Sequence, residues 1–501
     1  MNPDPVAPIP SEPATILNAR QSSAWDITNA PRNYLSLVLT QGASAVFSFG
    51  AVWLITFYLG SEGYGGIVAV IAASQVAQIF VNWTAVAVVR FGVDEFIETA
   101  KIARTFWIRF IALAINLILV IGLSVFWYPP LAGWLKLPPN TYWLVIAHFF
   151  ITAMWVHVQM SLQGAKMVRL QGCLMAVERL LIMSGIIALV AARDLTETTA
   201  VICYIAAPAA MIVAGTIALR RYIFARFSVD RQFLRNLAAY SLPLLPMAIV
   251  GYFASVYVDA IFISHFLSTP DLGVYSVATQ INGILLQIPT LANTLLLPLF
   301  ITLSREEQTG RLQKFFDRVL PFLTLTWGLA CTLFAFAGAM VIPLVFPPEF
   351  NAAIVPLWIL LVATAVAFPS LVGYQALGHS ISATYISLSA VVAAAVTKIA
   401  LNFILIREMG IAGCAWATVV AFAVAVFVSG LLLRRRILIR LSRTNAAMVP
   451  VILGGLALWL TSNIWIGFGV GLLGSLVGMF WFFDAGKDTI AFLGYLRKQR
   501  T

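Results

Sequence analysis

Apolar runs follow one another along nearly the whole of this 501-residue chain. Each run is long enough to cross a bilayer as a helix, because about 20 apolar residues at ~1.5 Å per residue span the ~30 Å hydrocarbon core. Charged residues make up only 10% of the chain, whereas a soluble domain carries about 25%. The sequence therefore predicts an all-α polytopic membrane protein.

The runs predict about 14 transmembrane helices, and an even number places both chain ends on one side of the membrane. They lie at 33–59, 64–89, 105–127, 141–162, 173–192, 199–219, 238–267, 272–302, 319–345, 353–373, 384–405, 411–433, 447–464 and 466–484.

The most informative stretch is the hairpin of the seventh and eighth runs, residues 241–300. Its break contains Pro270 and Gly273, which are typical of a turn between helices. Asp259 lies well inside the first arm, where an ionised carboxylate is costly. The second arm carries polar residues at helical spacing, which predicts one polar face directed at protein or water. These residues are Tyr275, Thr279, Asn282, Thr290 and Asn293.

The same hairpin pattern occurs in residues 35–89. An offset of 208 residues sets Gly65 on Gly273 and Ser74 on Asn282, so the loops and the polar faces coincide. We interpret this as an internal duplication of about six spans, an architecture that is common in secondary transporters. Chance similarity between two hydrophobic hairpins is the alternative.

The duplication and the charged connectors divide the chain into five parts. The first is Pro-rich and has no apolar run, which is typical of a disordered tail. The parts are a disordered cytoplasmic tail (1–32), an N-terminal six-helix bundle (33–219), a basic cytoplasmic linker (220–237), a C-terminal six-helix bundle (238–435), and two extra helices with a cytoplasmic tail (436–501).

Basic residues in the loops predict the orientation of the chain in the membrane. Outside the spans, only Lys136, Arg193 and Arg407 lie on one side, and all other Lys and Arg residues lie on the other. The basic side is expected to be cytoplasmic, which places both termini inside. Contact with anionic lipids accounts for the net charge of +11 without nucleic acid.

Motifs for enzymatic chemistry are missing from the sequence. There is no GxxxxGK[ST] phosphate-binding loop, and the outer loops are short. The four histidines are scattered, and the four cysteines lie in apolar runs at irregular spacing, so no metal or disulfide pattern emerges. We therefore expect a non-enzyme without a cofactor or a bound metal.

Charged residues inside the spans are the candidates for chemistry. Asp259 and Lys398 lie at about the same depth, roughly 10 Å below the outer boundary, and Asn402 follows Lys398 by one helical turn. We expect the acid and the base either to pair or to line a wet cavity. Snorkelling of each side chain to the nearer interface is the alternative.

The first half carries its own buried charges. Glu178 and Arg179 are neighbours whose side chains point about 100° apart, so a simple pair between them is not expected. Arg90 and Arg109 lie near cytoplasmic ends of spans, where they either snorkel or form a cationic inner mouth with Arg179. Arginine forks suit phosphate oxygens.

Together these residues define a candidate transport site, although polar residues that only hold helices together are the alternative. Asp259 and Glu178 are the candidates for ion coupling. The candidate residues of the substrate cavity are Gln41, Ser44, Ser74, Gln78, Asn82, Arg90, Arg109, Arg179, Tyr252, Thr279, Asn282, Lys398 and Asn402.

Several motifs carry a family resemblance that covers residues 33–435. LNFILIREMGIAGCAWATVVA at 401–421 resembles the LN–LIP–GI–GAA–AT signature of polysaccharide-type flippases of the multidrug/oligosaccharidyl-lipid/polysaccharide (MOP) exporter superfamily. It departs from that signature at Arg407 and Cys414. The breaks FYLGSEGYGG and HFLSTPDLGVY resemble the hairpin loops of the same family.

The resemblance implies two six-helix bundles in a V around a central cavity, plus two C-terminal helices. It also implies ion-coupled flipping of undecaprenyl-diphosphate-linked oligosaccharide for the synthesis of O-antigen, capsule or exopolysaccharide. The implied partners are that lipid-linked substrate, membrane lipids, a polysaccharide polymerase and a chain-length regulator.

Three alternatives stay open. A cation-coupled multidrug antiporter of the same superfamily would carry more acid in its cavity. A scaffold for glycan-assembly enzymes would not transport at all. A peptidoglycan-precursor flippase is a close variant, but the Ser-Arg and Arg-Asp motifs expected in its first spans are missing.

Overall fold

A computed structural model describes residues 14–225, 231–242, 244–253, 256–305, 309–381, 383–436, 441–482 and 484–489, with most side chains from residue 39 onward. Within these ranges the secondary structure is helical and no strand occurs. Ten segments are long and apolar enough to span a membrane. The predicted all-α polytopic class is therefore confirmed.

Eighteen α-helices form the described chain. They are α1 (Ala14–Asn82), α2 (Ala85–Thr99), α3 (Ala103–Gly122), α4 (Ser124–Leu135), α5 (Tyr142–Gly164), α6 (Val168–Ala192), α7 (Glu197–Ile223), α8 (Arg231–Ser241), α9 (Leu244–Phe253), α10 (Val256–Phe266), α11 (Thr269–Arg305), α12 (Thr309–Lys314), α13 (Leu320–Val345), α14 (Ile354–Pro369), α15 (Gln375–Ser380), α16 (Tyr385–Arg434), α17 (Leu441–Thr461) and α18 (Ile464–Trp481).

Two of these helices are hairpins rather than rods. Helix α1 is interrupted at Gly60, where φ is 68°, a left-handed angle that glycine adopts without a steric penalty. Residues 41 and 75 would lie about 50 Å apart on a straight helix, yet Gln41 and Gln75 line the same cavity. Helix α16 turns in the same way at Gly410, where φ is 60°. Each therefore supplies two of the predicted spans.

The duplicated hairpins meet each other at two glycines. A Cβ on Gly65 would overlap the Thr269 carbonyl oxygen, and a Cβ on Gly273 would overlap the Ser61 carbonyl oxygen. Each of these positions would also lie 3.1 Å from the backbone nitrogen of the opposite glycine. The 208-residue offset that relates Gly65 to Gly273 also relates Ser61 to Thr269, so the contact is reciprocal. This geometry supports the internal duplication.

Further contacts join the two halves at the same end of the molecule. The Ser61 backbone N–H, just past the turn in α1, donates to Glu349 Oε1 at 2.5 Å. Lys136 Nζ donates to the Leu267 carbonyl at 2.5 Å. The halves are therefore held together just past the turn in α1 and near the start of α11, and a cavity separates them further along these helices.

The structure differs from one predicted boundary. Residues 14–32, predicted as part of a disordered tail, belong to α1, since no proline lies between Pro13 and Pro31 to break a helix; residues 1–13 are outside the described chain. The seventh span, predicted as continuous over 238–267, includes residues 243, 254 and 255, which lie outside the described residues; its described parts belong to α8, α9 and α10.

Helix α8 begins in the predicted linker, extends four residues beyond it, and packs on the first bundle. Phe233 and Leu237 are buried against Ala87 and Ile108. The ring of Phe233 also meets Phe91 edge-on at 5.5 Å between centroids. Most of the described linker is therefore helix attached to the first bundle.

The C-terminal helices α17 and α18 pack against each other and against α13. The chain beyond them is tied to the basic surface at the start of α13. Asp488 lies 2.8 Å from Lys314 Nζ and 2.8 Å from Arg318 Nη1. The hydrogen bonds from Lys314 and Arg318 hold the pKa of Asp488 below its ordinary value.

Gly65→Ala should open the closed end of the molecule, because its methyl group cannot occupy the space of the Thr269 carbonyl. In a background without the four native cysteines, we expect a short bifunctional thiol reagent to cross-link Lys136→Cys to Ser268→Cys when Gly65 is present, and the yield to fall sharply in this variant. Gly273→Ala should act alike because the contact is reciprocal. Gly42→Ala on the same helix, where nothing lies within 4 Å, is the control. Unchanged cross-linking in Gly65→Ala would contradict the close approach.

Candidate functional site

A cavity of about 570 Å³ lies between the two halves. Its walls come from α1, α5, α6 and α7 on one side and from α10 and α11 on the other. Five of the predicted transport residues line it: Gln41, Ser44, Glu178, Arg179 and Thr279. The volume is within the range of about 300–1,000 Å³ that is typical of ligand sites in proteins.

Glu178 and Arg179 are the charged side chains among the described residues of this cavity. Arg179 Nη2 lies 3.7 Å from Glu178 Oε1, although their helical positions predicted no such pair. Both side chains are long and bend into the same space. The shorter bond of Glu178 goes to Trp155 Nε1, which donates to Oε2 at 2.7 Å.

Because of that bond, the side chain of Glu178 is more restrained than the side chain of Arg179. The Glu178 side chain is 9% exposed and is fixed against Trp155, whereas the Arg179 side chain is 40% exposed. Arg179 lines the cavity with Tyr204 on its own side and Tyr257 on the opposite side. The guanidinium is therefore placed to meet a ligand held between the halves.

After its turn at Gly60, α1 carries Ser74, Gln78 and Asn82 on one polar face. This face points into the first bundle instead of the cavity. Gln78 Nε2 donates to the Phe149 carbonyl at 2.8 Å, and Asn82 Nδ2 donates to Gln78 Oε1 at 2.6 Å. Arg109 continues this chain through Nη2, 3.5 Å from Asn82 Oδ1, and is 0% exposed. In this structure these predicted cavity residues hold helices together.

The corresponding face of α11 behaves in the same way only in part. Asn282, which the offset sets on Ser74, accepts a hydrogen bond from Thr364 Oγ1 at 2.7 Å inside the second bundle. Thr279 is directed to the cavity, together with Gln280 and Gln287 on the neighbouring face. The predicted stripe is therefore divided, because Tyr275 and Thr279 line the cavity whereas Asn282 is bonded inside the second bundle.

The buried acid and base of the second bundle form a direct pair. Lys398 Nζ lies 3.0 Å from Asp259 Oδ2, and both side chains are almost fully buried. Asn402 Nδ2 donates to Asp259 Oδ1 at 3.2 Å, and the Tyr275 hydroxyl donates to Oδ2 at 3.3 Å. The predicted contact is thus confirmed. Lys398 and Asn402 do not line the described cavity.

Two other predicted cavity residues lie elsewhere. Arg90 is exposed on α2, and its guanidinium carbon lies 5.7 Å from the ring centroid of Tyr240. Tyr252 lies in α9, partly buried and outside the cavity wall. Neither joins Arg179, so the predicted cationic mouth of Arg90, Arg109 and Arg179 does not form among the described residues.

Several cavity residues were not among the sequence candidates. They are His148 and Thr152 on α5, and Tyr204 and Tyr257 across from each other. Tyrosine and threonine are common in apolar spans, and no spacing pattern distinguishes these positions. Gln280 and Gln287 could have been found, since they recur at seven-residue spacing beside the polar stripe.

Two like helical halves around a shared polar cavity, with a buried ion pair inside one of them, define a multi-pass membrane protein of transporter architecture. The sequence also identifies the family of this protein. A model of the polysaccharide biosynthesis protein family matches residues 31–304, more than half of the chain. The chain belongs to this family. A search of curated protein sequences finds no match.

Solved structures share the fold at low sequence identity. The lipid II flippase MurJ, in an inward closed conformation, aligns with a TM-score of 0.67 and 13% identity over 89% of this chain and 99% of its own. An inward-facing multidrug resistance transporter of the MATE family aligns with a TM-score of 0.57 and 14% identity, over 80% of this chain and 98% of its own. A point mutant of the Vibrio cholerae MATE transporter VcmN aligns with a TM-score of 0.51 and 13% identity, over 82% of this chain and 98% of its own. These likenesses show a shared fold, and the multidrug resistance transporter among them is described as a member of the MOP superfamily.

Neutralising one member of the buried pair should destabilise the protein more than neutralising both. Asp259→Asn or Lys398→Met leaves a single charge in a low-dielectric interior, at a cost of roughly 2.5–3.5 kcal/mol on insertion scales. We expect each single variant to lower the melting temperature in detergent, and the double variant to regain most of the loss. Asp94→Asn, at an exposed position, is the control. Purely additive losses would show that the pair contributes no coupling.

Proposed function

We propose that this protein is a flippase that moves undecaprenyl-diphosphate-linked oligosaccharide repeat units across the bacterial inner membrane. It serves the biosynthesis of O-antigen, capsule or exopolysaccharide, works by ion-coupled alternating access, and has both termini in the cytoplasm. It performs no covalent chemistry. A polysaccharide polymerase and a chain-length regulator are its expected partners.

Arg179 is the observation that carries this proposal. It is the cationic side chain among the described cavity residues, and Glu178 beside it is held by Trp155. A planar guanidinium binds phosphate oxygens in pairs, which suits a diphosphate. The surrounding Gln, Ser and Thr side chains hydrogen-bond polar groups such as sugar hydroxyls.

The arrangement of the halves supports alternating access. The contact between Gly65 and Gly273 closes one end, and the cavity lies on the other side of it. The charge distribution of the loops makes the closed end external. Substrate then enters from the cytoplasmic leaflet, and opening of the glycine contact releases it outward.

Ion coupling requires an acid that exchanges a cation during the cycle. Glu178 is open to the cavity, whereas Asp259 is closed off by Lys398, Asn402 and Tyr275. Both acids are coupling candidates. Glu178 acts beside the substrate, and Asp259 acts through its ion pair.

A cation-coupled multidrug antiporter is the second candidate. The similarity to MATE transporters and the presence of Glu178 in the cavity favour it. In that function Glu178 would attract a cationic drug. Arg179 would oppose such a ligand, so the flippase is the better fit.

Deleting the gene should abolish a surface or secreted polysaccharide and leave its lipid-linked precursor on the cytoplasmic leaflet. Arg179→Gln should reproduce this defect while the protein still reaches the membrane, and Arg179→Lys should restore part of the polysaccharide because it keeps the charge. Arg193→Gln, an exposed change beyond the end of the same helix, is the control. An intact glycan coat together with new sensitivity to cationic drugs would favour the antiporter.

The orientation can be tested with a reporter that is active only outside the cytoplasm. Fusions at Glu62 or Pro348 should be active, because these positions lie at the closed, weakly basic end. A fusion at Arg311, in the basic segment before α13, should be silent. Activity at Arg311 would reverse the proposed topology.

A further inference from the structure

His148 on α5 belongs to the cavity wall but has no role in the proposal so far. It is 6% exposed and lines the cavity together with Arg179. Its Nδ1 lies 2.6 Å from Oγ of Ser74, which belongs to the part of α1 after the turn at Gly60. Among the described residues no hydrogen-bond partner faces its Nε2 atom.

Ser74 fixes the tautomer of this histidine. Its hydroxyl lies 2.7 Å from the Ile71 carbonyl oxygen and has one hydrogen to give. A carbonyl can only accept, so the hydroxyl hydrogen points to Ile71, and Nδ1 of His148 must donate to Ser74. An imidazole at neutral pH is mostly uncharged. Its Nε2 then carries a lone pair, on the ring edge away from Ser74.

The two side chains therefore offer opposite chemistry. Arg179 has only donors and suits the oxygens of a phosphate, whereas Nε2 of His148 is an acceptor. Ionised phosphate oxygens have no hydrogen to give to that acceptor. The sugar attached to a diphosphate has hydroxyl or acetamido hydrogens within a few bonds of the phosphate.

We propose that His148 is a specificity-determining residue that accepts, through Nε2, a hydrogen bond from the sugar next to the diphosphate. The inference rests on the proposed function, since Arg179 must hold the diphosphate for the sugar to reach His148. Ser74 acts as a positioning residue, because its hydroxyl keeps the lone pair on Nε2.

The test compares two probes on the purified full-length protein: a short-chain prenyl diphosphate, and the same molecule carrying one N-acetylhexosamine. A single neutral hydrogen bond predicts that the glycosylated probe binds roughly three- to tenfold more tightly. His148→Phe should abolish this preference and leave affinity for the bare diphosphate unchanged. His148→Gln keeps an acceptor near the position of Nε2 and should retain the preference, and Ser74→Ala should reduce it.

The outcomes separate this inference from the proposed function. A wild-type protein that binds neither probe overturns both. Binding of both probes with a preference that His148→Phe does not change overturns the role of His148 alone. Equal weakening of both probes by His148→Phe also overturns it, because that pattern is expected of a purely structural residue. Arg179→Gln should weaken both probes and serves as the reference for loss of diphosphate binding.

Discussion

The close approach of two backbones at Gly65 and Gly273 is the contact on which the rest of the structure depends. Because neither residue has a Cβ, the carbonyl groups of Ser61 and Thr269 can lie where side chains would otherwise be. Lipid gives helices little hydrophobic reason to associate, so van der Waals contact between small residues becomes a main source of affinity. This contact sets the distance between the halves, and with it the depth and width of the cavity.

The two halves differ in how completely their buried charged groups are paired, although they share one sequence pattern. In the second half the charges of Asp259 and Lys398 cancel, and Asn402 and Tyr275 complete the hydrogen bonding of the carboxylate. In the first half Arg109 is fully buried with a long bond to Asn82, and its Nε and Nη1 atoms have no partner among the described residues. An unpaired buried charge destabilises a fold. The second bundle is therefore the better-satisfied of the two.

The cavity itself is only lightly charged. Trp155 holds Glu178, while Arg179 lies 3.7 Å from Glu178 but is exposed enough to meet a ligand, and neutral Gln, Ser, Thr and Tyr side chains line much of the remaining wall. One cation in such a setting can bind a phosphate without trapping it, since the neighbouring carboxylate offsets part of the attraction. A transporter needs this balance, because a ligand that binds too tightly in one state is not released in the other.

The sequence by itself determined the helical membrane class and indicated the internal duplication, because hydropathy, turn residues and helical rise are local quantities. For Asp259 and Lys398 it placed two opposite charges at one depth but left a pair, a wet cavity and snorkelling open, and the structure shows the pair. Only the tertiary structure decided which polar face lines the cavity. Ser74 and Asn282 face their own bundles, whereas His148 and Gln287 face the cavity. The reason is that helical spacing predicts a shared face but not its direction, and the direction depends on how neighbouring helices pack around it.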